Sequence, residues 1–469
     1  MPQPPEESGN DTLSVVAALC CAAALRLFFY SGLTGYDEFA YARIAADIAE
    51  GLFRLPDVSG YYGFRYLVTF PAAFFYKLLG QGALSSAAWP FLCSLGNTAL
   101  AYFLGRELFG RRAGVISAFM QAFLPVSVVY GTMLYPDEVL VLWTGLSALL
   151  FLKGSKSGGR WGGAGLFALS GLLAGLGWHT RLNSAIMLPV FAVWLIRLGP
   201  RPAHLALVCG FAAALAPDWA AGAIATGDPL FSMHSQLAKL SADAAVYSSG
   251  HAVYIRGLMG LDLYGLGLFG IYFYLFAAAA AVYAYSKRLK EIWLPLVWFA
   301  VVFAYLEFGP AALDPYRPVH KQLRFFSMAM FPVIFVAAAY VAGQGRSASR
   351  SIMVLALSAS VIGAAKMSAY QRRGAAPLRE AAERLEKVSP SAIYADGAWG
   401  NYLGYRFRHM HREPYYMQGE SGFMLPLREL PGGGGPHGAC ALIEAGTPLA
   451  VKGSSIVRVS GGAEIHCYI

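Results

Sequence analysis

This sequence is short of charge. Asp, Glu, Lys and Arg make up 13% of its 469 residues, whereas hydrophobic residues make up 57% and the mean hydropathy is +0.49. A soluble domain carries charge at about a quarter of its positions, so this composition argues against a soluble globular protein. Apolar runs long enough to cross a hydrocarbon core about 30 Å thick recur along the chain. The composition therefore predicts an α-helical polytopic membrane protein.

Several other patterns are missing from the sequence. Met1–Asp11 is acidic and rich in proline and has no basic n-region, so we expect the first apolar run to remain as a membrane anchor. The net charge of +9 comes without a long basic run or interleaved stacking aromatics, so no nucleic acid partner is expected. Gly432–Gly435 lacks the Gly-Lys-Ser/Thr ending of a phosphate-binding loop. Four histidines in the last 61 residues match no structural zinc spacing: His409, His411, His437 and His466.

Hydropathy and flanking charge predict about eleven transmembrane helices. They are Leu13–Leu33, Ser85–Gly105, Ala113–Met133, Val139–Leu152, Trp161–Trp178, Ser184–Ile196, Ala203–Ala225, Leu263–Tyr285, Ile292–Glu307, Phe326–Gly343 and Ser351–Tyr370. The stretch Phe64–Gly80 is apolar but contains Arg65, Pro71 and Lys77. If it does not cross, five short basic connections fall on the cytoplasmic side, as the positive-inside rule requires. We therefore expect an interfacial or re-entrant segment there, a cytoplasmic N-terminus and an extracytoplasmic C-terminus.

The chain is expected to divide near residue 370. Residues 1–370 would form the transmembrane domain, with a long outer loop at residues 34–84 that carries amphipathic helices. Residues 371–469, called the tail, would form a small extracytoplasmic α/β domain. Its predicted elements are a helix over Pro377–Val388, with Leu378, Ala382, Leu385 and Val388 on one stripe, and strands at Ser391–Ala395, Ala439–Glu444, Ser455–Val459 and Glu464–Ile469.

The six cysteines fall into two groups. Four lie in apolar spans, where cysteine usually acts as a small hydrophobic residue: Cys20, Cys21, Cys93 and Cys209. Cys440 and Cys467 lie in the tail, which would face an oxidising compartment. Spacing alone leaves open whether these two form a disulfide.

Two adjacent acidic pairs stand out. Asp37 and Glu38 follow the first apolar run and precede an amphipathic stretch, which predicts a helix along the membrane surface with the acids at its start. Asp137 and Glu138 begin a later span on the same predicted face. Dehydrated carboxylates at membrane helix ends mark functional sites or simply cap helices, and both interpretations stay open. Together the pairs would supply a base and an orienting group, or would bind a divalent cation.

Basic residues cluster on that same face. They are Arg65, His179, Arg181, His320, Lys321 and Arg324. Such residues often extend towards lipid headgroups, but clusters opposite acids would form an anion site for a phosphate or diphosphate. The nearby tyrosines, including Tyr61 and Tyr62, are interpreted as an interfacial aromatic belt.

Several stretches together resemble a known family. They are Tyr36-Asp37-Glu38 with Tyr41-Ala42, Ala101–Gly110, Leu124-Pro125 through Tyr135-Pro136-Asp137-Glu138 to Leu140, Gly227–Phe231, and, more loosely, Arg324-Phe325 through Pro332. The pattern resembles the polytopic C-type-fold glycosyltransferases that use lipid-phosphate sugar donors, such as protein O-mannosyltransferases and lipid A aminoarabinose transferases. Where relatives often have Lys-Pro-Pro in the first outer loop, this chain has Phe64-Arg65-Tyr66, so a role for Arg65 rests on its position.

The resemblance implies a membrane enzyme that transfers a sugar from a polyprenyl phosphate to a glycan, lipid or protein acceptor at the outer face. It implies Asp37 as general base, with Glu38 and Asp137 orienting the acceptor or, with Asp37, holding a metal. Phosphate binding would fall to Arg65, Arg181, Lys321 and Arg324, and Tyr41, Glu138, His179 and His320 complete the expected substrate-binding set. Use of a divalent cation stays open, as do the sugar and the acceptor.

The main alternative is a transporter or flippase for a lipid-linked sugar. It would use the same anion site without breaking a bond. The sequence shows no internal repeat of the kind that many transporters carry, and its long connections all fall on one predicted face, which favours an enzyme. A diphosphate-using glycan ligase and a membrane-anchored binding module remain further alternatives.

Overall fold

The computed structural model shows a mostly helical chain. It describes residues 11–34, 36–58, 60–246, 252–259, 269–313, 316–388, 393–395, 402–403, 405–407, 424–425, 440–444, 454–459 and 463–468. His409, His411, His437 and Gly432–Gly435 lie outside these residues, as do the first ten positions of the chain. The longer stretches form a helix bundle, and most of the later short ones belong to a small sheet, whereas residues 402–403 and 405–406 are helical.

The helices follow one another with short connections. Their bounds are α1 Asp11–Phe28, α2 Tyr36–Glu50, α3 Tyr66–Leu79, α4 Ala83–Phe109, α5 Arg111–Phe123, α6 Pro125–Tyr130, α7 Pro136–Ser155, α8 Ala164–Trp178, α9 Met187–Leu198, α10 Leu205–Thr226, α11 Phe231–Val246, α12 Val253–Leu258, α13 Tyr272–Tyr285, α14 Trp293–Phe308, α15 Ser327–Ala342 and α16 Arg346–Val388. A two-stranded antiparallel ribbon, β1 Pro310–Leu313 and β2 Tyr316–Pro318, separates α14 from α15.

Among the described residues, five helical segments are long and apolar enough to cross a membrane: Asp11–Phe28, Pro136–Ser155, Pro202–Thr226, Arg324–Ala342 and Arg346–Val388. Each of the eleven predicted spans overlaps a helix. Helix α3, in the stretch predicted to be interfacial or re-entrant, has 14 residues. At about 1.5 Å per residue it is about 21 Å long, shorter than a hydrocarbon core of about 30 Å. Almost all of α15 is buried, so it forms the centre of the bundle.

Two helix predictions need correction. The span expected over Ala113–Met133 is two helices, because Pro125 has no N–H and begins α6 after a break at Leu124. The helix expected over Pro377–Val388 is the end of α16, which continues from the preceding span through Pro377. The carbonyl that Pro377 leaves without its helical partner belongs to Arg373, which is exposed and therefore accessible to water.

Helix α2 forms where the amphipathic pattern predicts it, but it does not present a free face. Residues 39–46 are all buried. Tyr41 and Ala45 pack into the core of the bundle, whereas Phe39 packs against the tail. The start of α2 is therefore enclosed between the bundle and the tail, which fixes the position of the acids that precede Phe39.

The tail sheet packs on the end of α16. Its strands are β3 Ile393–Tyr394, β4 Met424–Leu425, β5 Cys440–Glu444, β6 Ser454–Val459 and β7 Ala463–Tyr468, in the order β4-β3-β5-β7-β6. Leu378, Ala382 and Leu385 of the predicted stripe pack against this sheet, but Val388 is half exposed because it is the last residue of the helix. Cys440 and Cys467 are paired in register on β5 and β7, and they form a disulfide.

Candidate functional site

Five charged side chains converge where α2, α3, α7, α8 and α15 meet. Asp37 lies in the first turn of α2 and Asp137 in the first turn of α7. Arg65 precedes α3, Arg181 follows α8, and Arg324 lies in the short turn before α15. The term arginine cluster is used below for Arg65, Arg181 and Arg324 together with the two aspartates. All five come from helix ends or from the turns beside them, where backbone N–H and C=O groups lack intrahelical partners and polar groups therefore gather.

Arg324 joins the two acidic segments. One of its Nη atoms donates to Oδ2 of Asp37, and the other lies 3.6 Å from Oδ2 of Asp137. Its Nε donates to the side-chain oxygen of Gln322 at 2.6 Å, and its guanidinium lies 3.7 Å from the ring centre of Tyr135. Only 6% of the Arg324 side chain is exposed. A buried planar guanidinium with this many partners is fixed in orientation, which suits it to hold a phosphate bidentately.

Asp37 is ionised in this setting. Burial alone would raise the pKa of its carboxyl group, but the charge and hydrogen bond of Arg324 lower it, and the Tyr62 hydroxyl, which donates to Oδ1 at 2.8 Å, adds to this effect. The net pKa of Asp37 lies below its ordinary value. Burial, and then the charge of Asp37, raise the pKa of Tyr62, so this tyrosine remains a donor. Asp37 therefore offers a charged oxygen to a substrate at neutral pH.

Arg181 and Arg65 complete the cationic side of the cluster. Arg181 donates to Oδ1 of Asp137 at 3.1 Å, and its guanidinium lies 3.4 Å from the ring centre of Phe325. Arg65 donates to the hydroxyl of Tyr41 and stacks 4.6 Å from the ring centre of Tyr61.

Burial, followed by repulsion from Arg181, lowers the pKa of Arg65. Three guanidinium groups face two carboxylates in the cluster, so one positive charge is uncompensated within it. An anion placed there would stabilise all three arginines.

The two glutamates of the acidic pairs point elsewhere. Glu38 is fully buried, and its carboxylate accepts hydrogen bonds from the backbone N–H groups of Thr34 at 2.9 Å and Leu134 at 3.1 Å. Glu138 is also buried and accepts from Asn97 at 2.9 Å and Ser127 at 2.7 Å. In these contacts both glutamates serve the scaffold around the cluster, although catalysis was expected for Glu38 and substrate binding for Glu138.

Three further predicted residues lie beside the cluster without joining its ion pairs among the described contacts. Lys321 donates to Glu307 at 2.7 Å, and both side chains are fully buried. The imidazole of His179 lies 2.9 Å from the carbonyl oxygen of Ala214. His320 is partly exposed and directly precedes Lys321.

Three contributors are not among the predicted site residues. Tyr62, assigned to the aromatic belt, hydrogen-bonds Asp37, and Tyr135 and Gln322 contact Arg324. Tyr62 follows Asp37 by 25 residues, so no local spacing links the two. The sequence offers one signal, which is that Tyr135 lies two residues before Asp137, an aspartate already among the predicted site residues.

A divalent cation does not fit this arrangement of donors. Of the acids expected to hold a metal, Asp37 and Asp137 both pair with Arg324, and Asp137 also pairs with Arg181, so fixed cations already compensate their charges. Glu38 instead accepts from backbone N–H groups away from the cluster. In the part of the chain that the structure describes, no three His, Cys, Asp or Glu side chains come close enough to hold a metal ion.

The sequence and the fold both resemble known proteins. A family model described as dolichyl-phosphate-mannose-protein mannosyltransferase matches residues 66–217. The undecaprenyl phosphate-alpha-4-amino-4-deoxy-L-arabinose arabinosyl transferase of Edwardsiella ictaluri is 29% identical over 171 residues, which is 34% of this chain. That match spans 30% of the relative's length, so less than two thirds of the relative is matched.

Two solved structures share the fold. ArnT from Cupriavidus metallidurans, in a crystal structure bound to undecaprenyl phosphate, superposes with a TM-score of 0.68 over 98% of each chain, at 14% identity. The archaeal oligosaccharyltransferase AglB from Archaeoglobus fulgidus, solved with an inhibitory peptide and a dolichol-phosphate, gives a TM-score of 0.59, with 84% of this chain and 63% of that chain covered, at 14% identity. The predicted resemblance to C-type-fold glycosyltransferases is therefore confirmed at the level of fold.

Proposed function

We propose that this chain is a membrane glycosyltransferase that moves a sugar from a polyprenyl-phosphate donor to an acceptor hydroxyl or amine at the outer face of the membrane. The observation that carries the proposal is the arginine cluster, where three buried guanidinium groups exceed two carboxylates. The relatives supply the donor class, because one is named for an undecaprenyl-phosphate sugar and two others were solved with polyprenyl phosphates. The outer-face assignment rests on the basic short connections described above.

In the proposed step, the acceptor oxygen attacks the anomeric carbon of the sugar. The new carbon–oxygen bond forms as the bond to the phosphate oxygen breaks, and the polyprenyl phosphate leaves with the electron pair. The proton of the acceptor hydroxyl passes to Asp37, which is ionised and lies at the edge of the cluster. The leaving group is already an anion, so it needs fixed cations more than an acid.

Arg324 has two roles in this proposal. Its guanidinium contacts Asp37 and lies beside Asp137, and the same planar group has a geometry that binds phosphate oxygens in pairs. A donor phosphate bound between Arg324 and Arg65 would place the anomeric carbon beside the carboxylate of Asp37. Asp137, fixed by Arg181, then orients the cations and does not take the proton.

The test is release of polyprenyl phosphate from radiolabelled polyprenyl-phosphate sugars by the purified full chain. Wild type is compared with Asp37→Asn and with Asp11→Asn, a matched charge removal on an aspartate that pairs with Arg111 away from the cluster. We expect release to be lost in Asp37→Asn and retained in Asp11→Asn. Equal release by wild type and Asp37→Asn would remove Asp37 as base. No release from any monophosphate donor would reject the proposal in favour of a flippase or a diphosphate-using enzyme.

A further inference from the structure

A cavity lies behind the first turn of α2. It measures about 710 Å³ and is lined in part by Phe39, and Phe39 and Asp37 project from α2 about 200° apart. The remaining walls come from the loop after α1, the turn between α3 and α4, the last turns of α16, and Tyr402, Tyr405 and Arg406 of the tail. The cavity is thus separate from the arginine cluster but shares one helical turn with it.

Exposed apolar residues of the bundle lie close in sequence to residues that line this cavity. Leu27 and Phe28, 62% and 76% exposed, lie three and two residues before the wall residue Tyr30. Leu84, 71% exposed, directly follows the wall residues of the α3–α4 turn. In a membrane protein exposed leucines and phenylalanines face lipid tails, and tyrosines mark the headgroup level. The cavity therefore lies where phospholipid headgroups would be.

The charges of the cavity are balanced. Arg379 donates to the carbonyl oxygen of Ser31 at 2.6 Å, which uses one of its five N–H donors. Glu383 follows Arg379 by one helical turn on the same wall. Arg406 is paired with Glu386 at 2.7 Å. Unlike the arginine cluster, the cavity has no surplus of one sign.

Aromatic rings complete the walls. Tyr402 packs edge-on to Phe39 with ring centres 4.6 Å apart, and Tyr30 and Tyr405 also line the cavity. Rings of this kind attract an ammonium group over their faces. Their position beside one acid and one base suits a ligand that carries both charges.

We propose that this cavity binds the headgroup of a zwitterionic phospholipid with a primary ammonium. The phosphoryl oxygens would accept from Arg379, and the ammonium would donate to Glu383 while lying against the tyrosine rings. This inference concerns lipid binding alone and does not depend on the transfer reaction.

The test uses the full chain in nanodiscs containing equal parts of phosphatidylethanolamine, phosphatidylcholine and phosphatidylglycerol, with retained lipids identified by native mass spectrometry. Wild type should retain phosphatidylethanolamine preferentially. Arg379→Gln should reduce its retention about tenfold, which corresponds to the loss of one charge-assisted hydrogen bond. Glu383→Gln should shift the preference towards phosphatidylglycerol, because the cavity would then have an excess of positive charge.

Arg384→Gln and Glu380→Gln are the matched controls. These residues lie on the same stretch of α16, pair with each other at 2.7 Å and do not line the cavity. Both should retain lipid as wild type does.

Ala83→Trp provides a variant without a change of charge. It would fill the cavity from the start of α4 and should reduce retention of phosphatidylethanolamine. Equal retention of the three lipids by wild type, a preference for phosphatidylglycerol, or cavity variants that behave like the controls would each overturn the proposal.

Discussion

The two acidic pairs, Asp37–Glu38 and Asp137–Glu138, use their residues in the same way. In each pair the aspartate faces the arginine cluster and the buried glutamate accepts hydrogen bonds from neutral donors. Neighbouring residues in a helix project about 100° apart, so an acidic pair in a first turn can serve a site and the scaffold at once. The difference lies in the scaffold. Glu38 bonds two backbone N–H groups, one of them on Leu134 just before the second pair, whereas Glu138 bonds two side chains.

The largest expected effect separates the aspartates from each other. Asp37→Asn should lower the rate of sugar transfer about 10²–10⁴-fold because it removes the proposed base. Asp137→Asn should mainly raise the KM for the donor, because it loosens Arg181 and Arg324 without removing the proton acceptor. Steady-state kinetics of both variants separate the expected effect on kcat from the expected effect on KM. The same loss of kcat in both would mean that the two aspartates act as one unit.

Arg324 links the two pairs, so its replacement tests whether they cooperate. Arg324→Lys keeps the charge but replaces a planar fork by a single ammonium, which cannot contact Asp37, Asp137 and Gln322 together. We expect kcat/KM to fall about 10–100-fold, somewhat less than the loss of a whole oxyanion donor. Arg317→Lys, in strand β2 of the same connection, is the matched control and should stay near wild type. Unchanged kinetics in Arg324→Lys would show that charge alone suffices there.

Replacing the two glutamates by glutamine should lower the stability of the protein by different amounts and leave the chemical step unchanged. In Glu38→Gln the new amide N–H₂ would face one of two backbone N–H donors that cannot turn away, which should cost about 1–3 kcal/mol. Glu138→Gln should cost less, because the Ser127 hydroxyl can rotate and become a donor to a different partner. Thermal unfolding in detergent compares the two variants. A larger loss of stability for Glu138→Gln would contradict this ranking.

Much of the fold could be predicted from the sequence, because long apolar runs and basic connections are local signals. The acids of the cluster were found for the same reason, since a carboxylate pair at a membrane helix end is conspicuous. The partners of Asp37 were harder to assign. Tyr62 and Arg324 reach it from distant parts of the chain, and nothing in their local sequence distinguishes them from residues that extend towards headgroups. The role of each glutamate also depends on how the first turns of α2 and α7 are oriented in the bundle, because this decides whether the aspartate or the glutamate points towards the arginines. The local sequence does not determine that orientation.

The smallest expected effect is the pH dependence that Asp37 contributes to folding. Burial would raise the pKa of Asp37, but Arg324 and Tyr62 hold it below its ordinary value, so the folded state binds this proton less readily than the unfolded chain does. The resulting stabilisation is fully present above the unfolded pKa of about 4 and is lost as the pH falls through the folded value. Melting temperatures of wild type and Asp37→Asn, measured from pH 7 downwards, should therefore differ by a constant amount above about pH 5 and converge below about pH 4. Arg324 is left without this partner in Asp37→Asn at every pH, so a difference that persists undiminished at the lowest pH would show that the variant loses packing and not the ion pair.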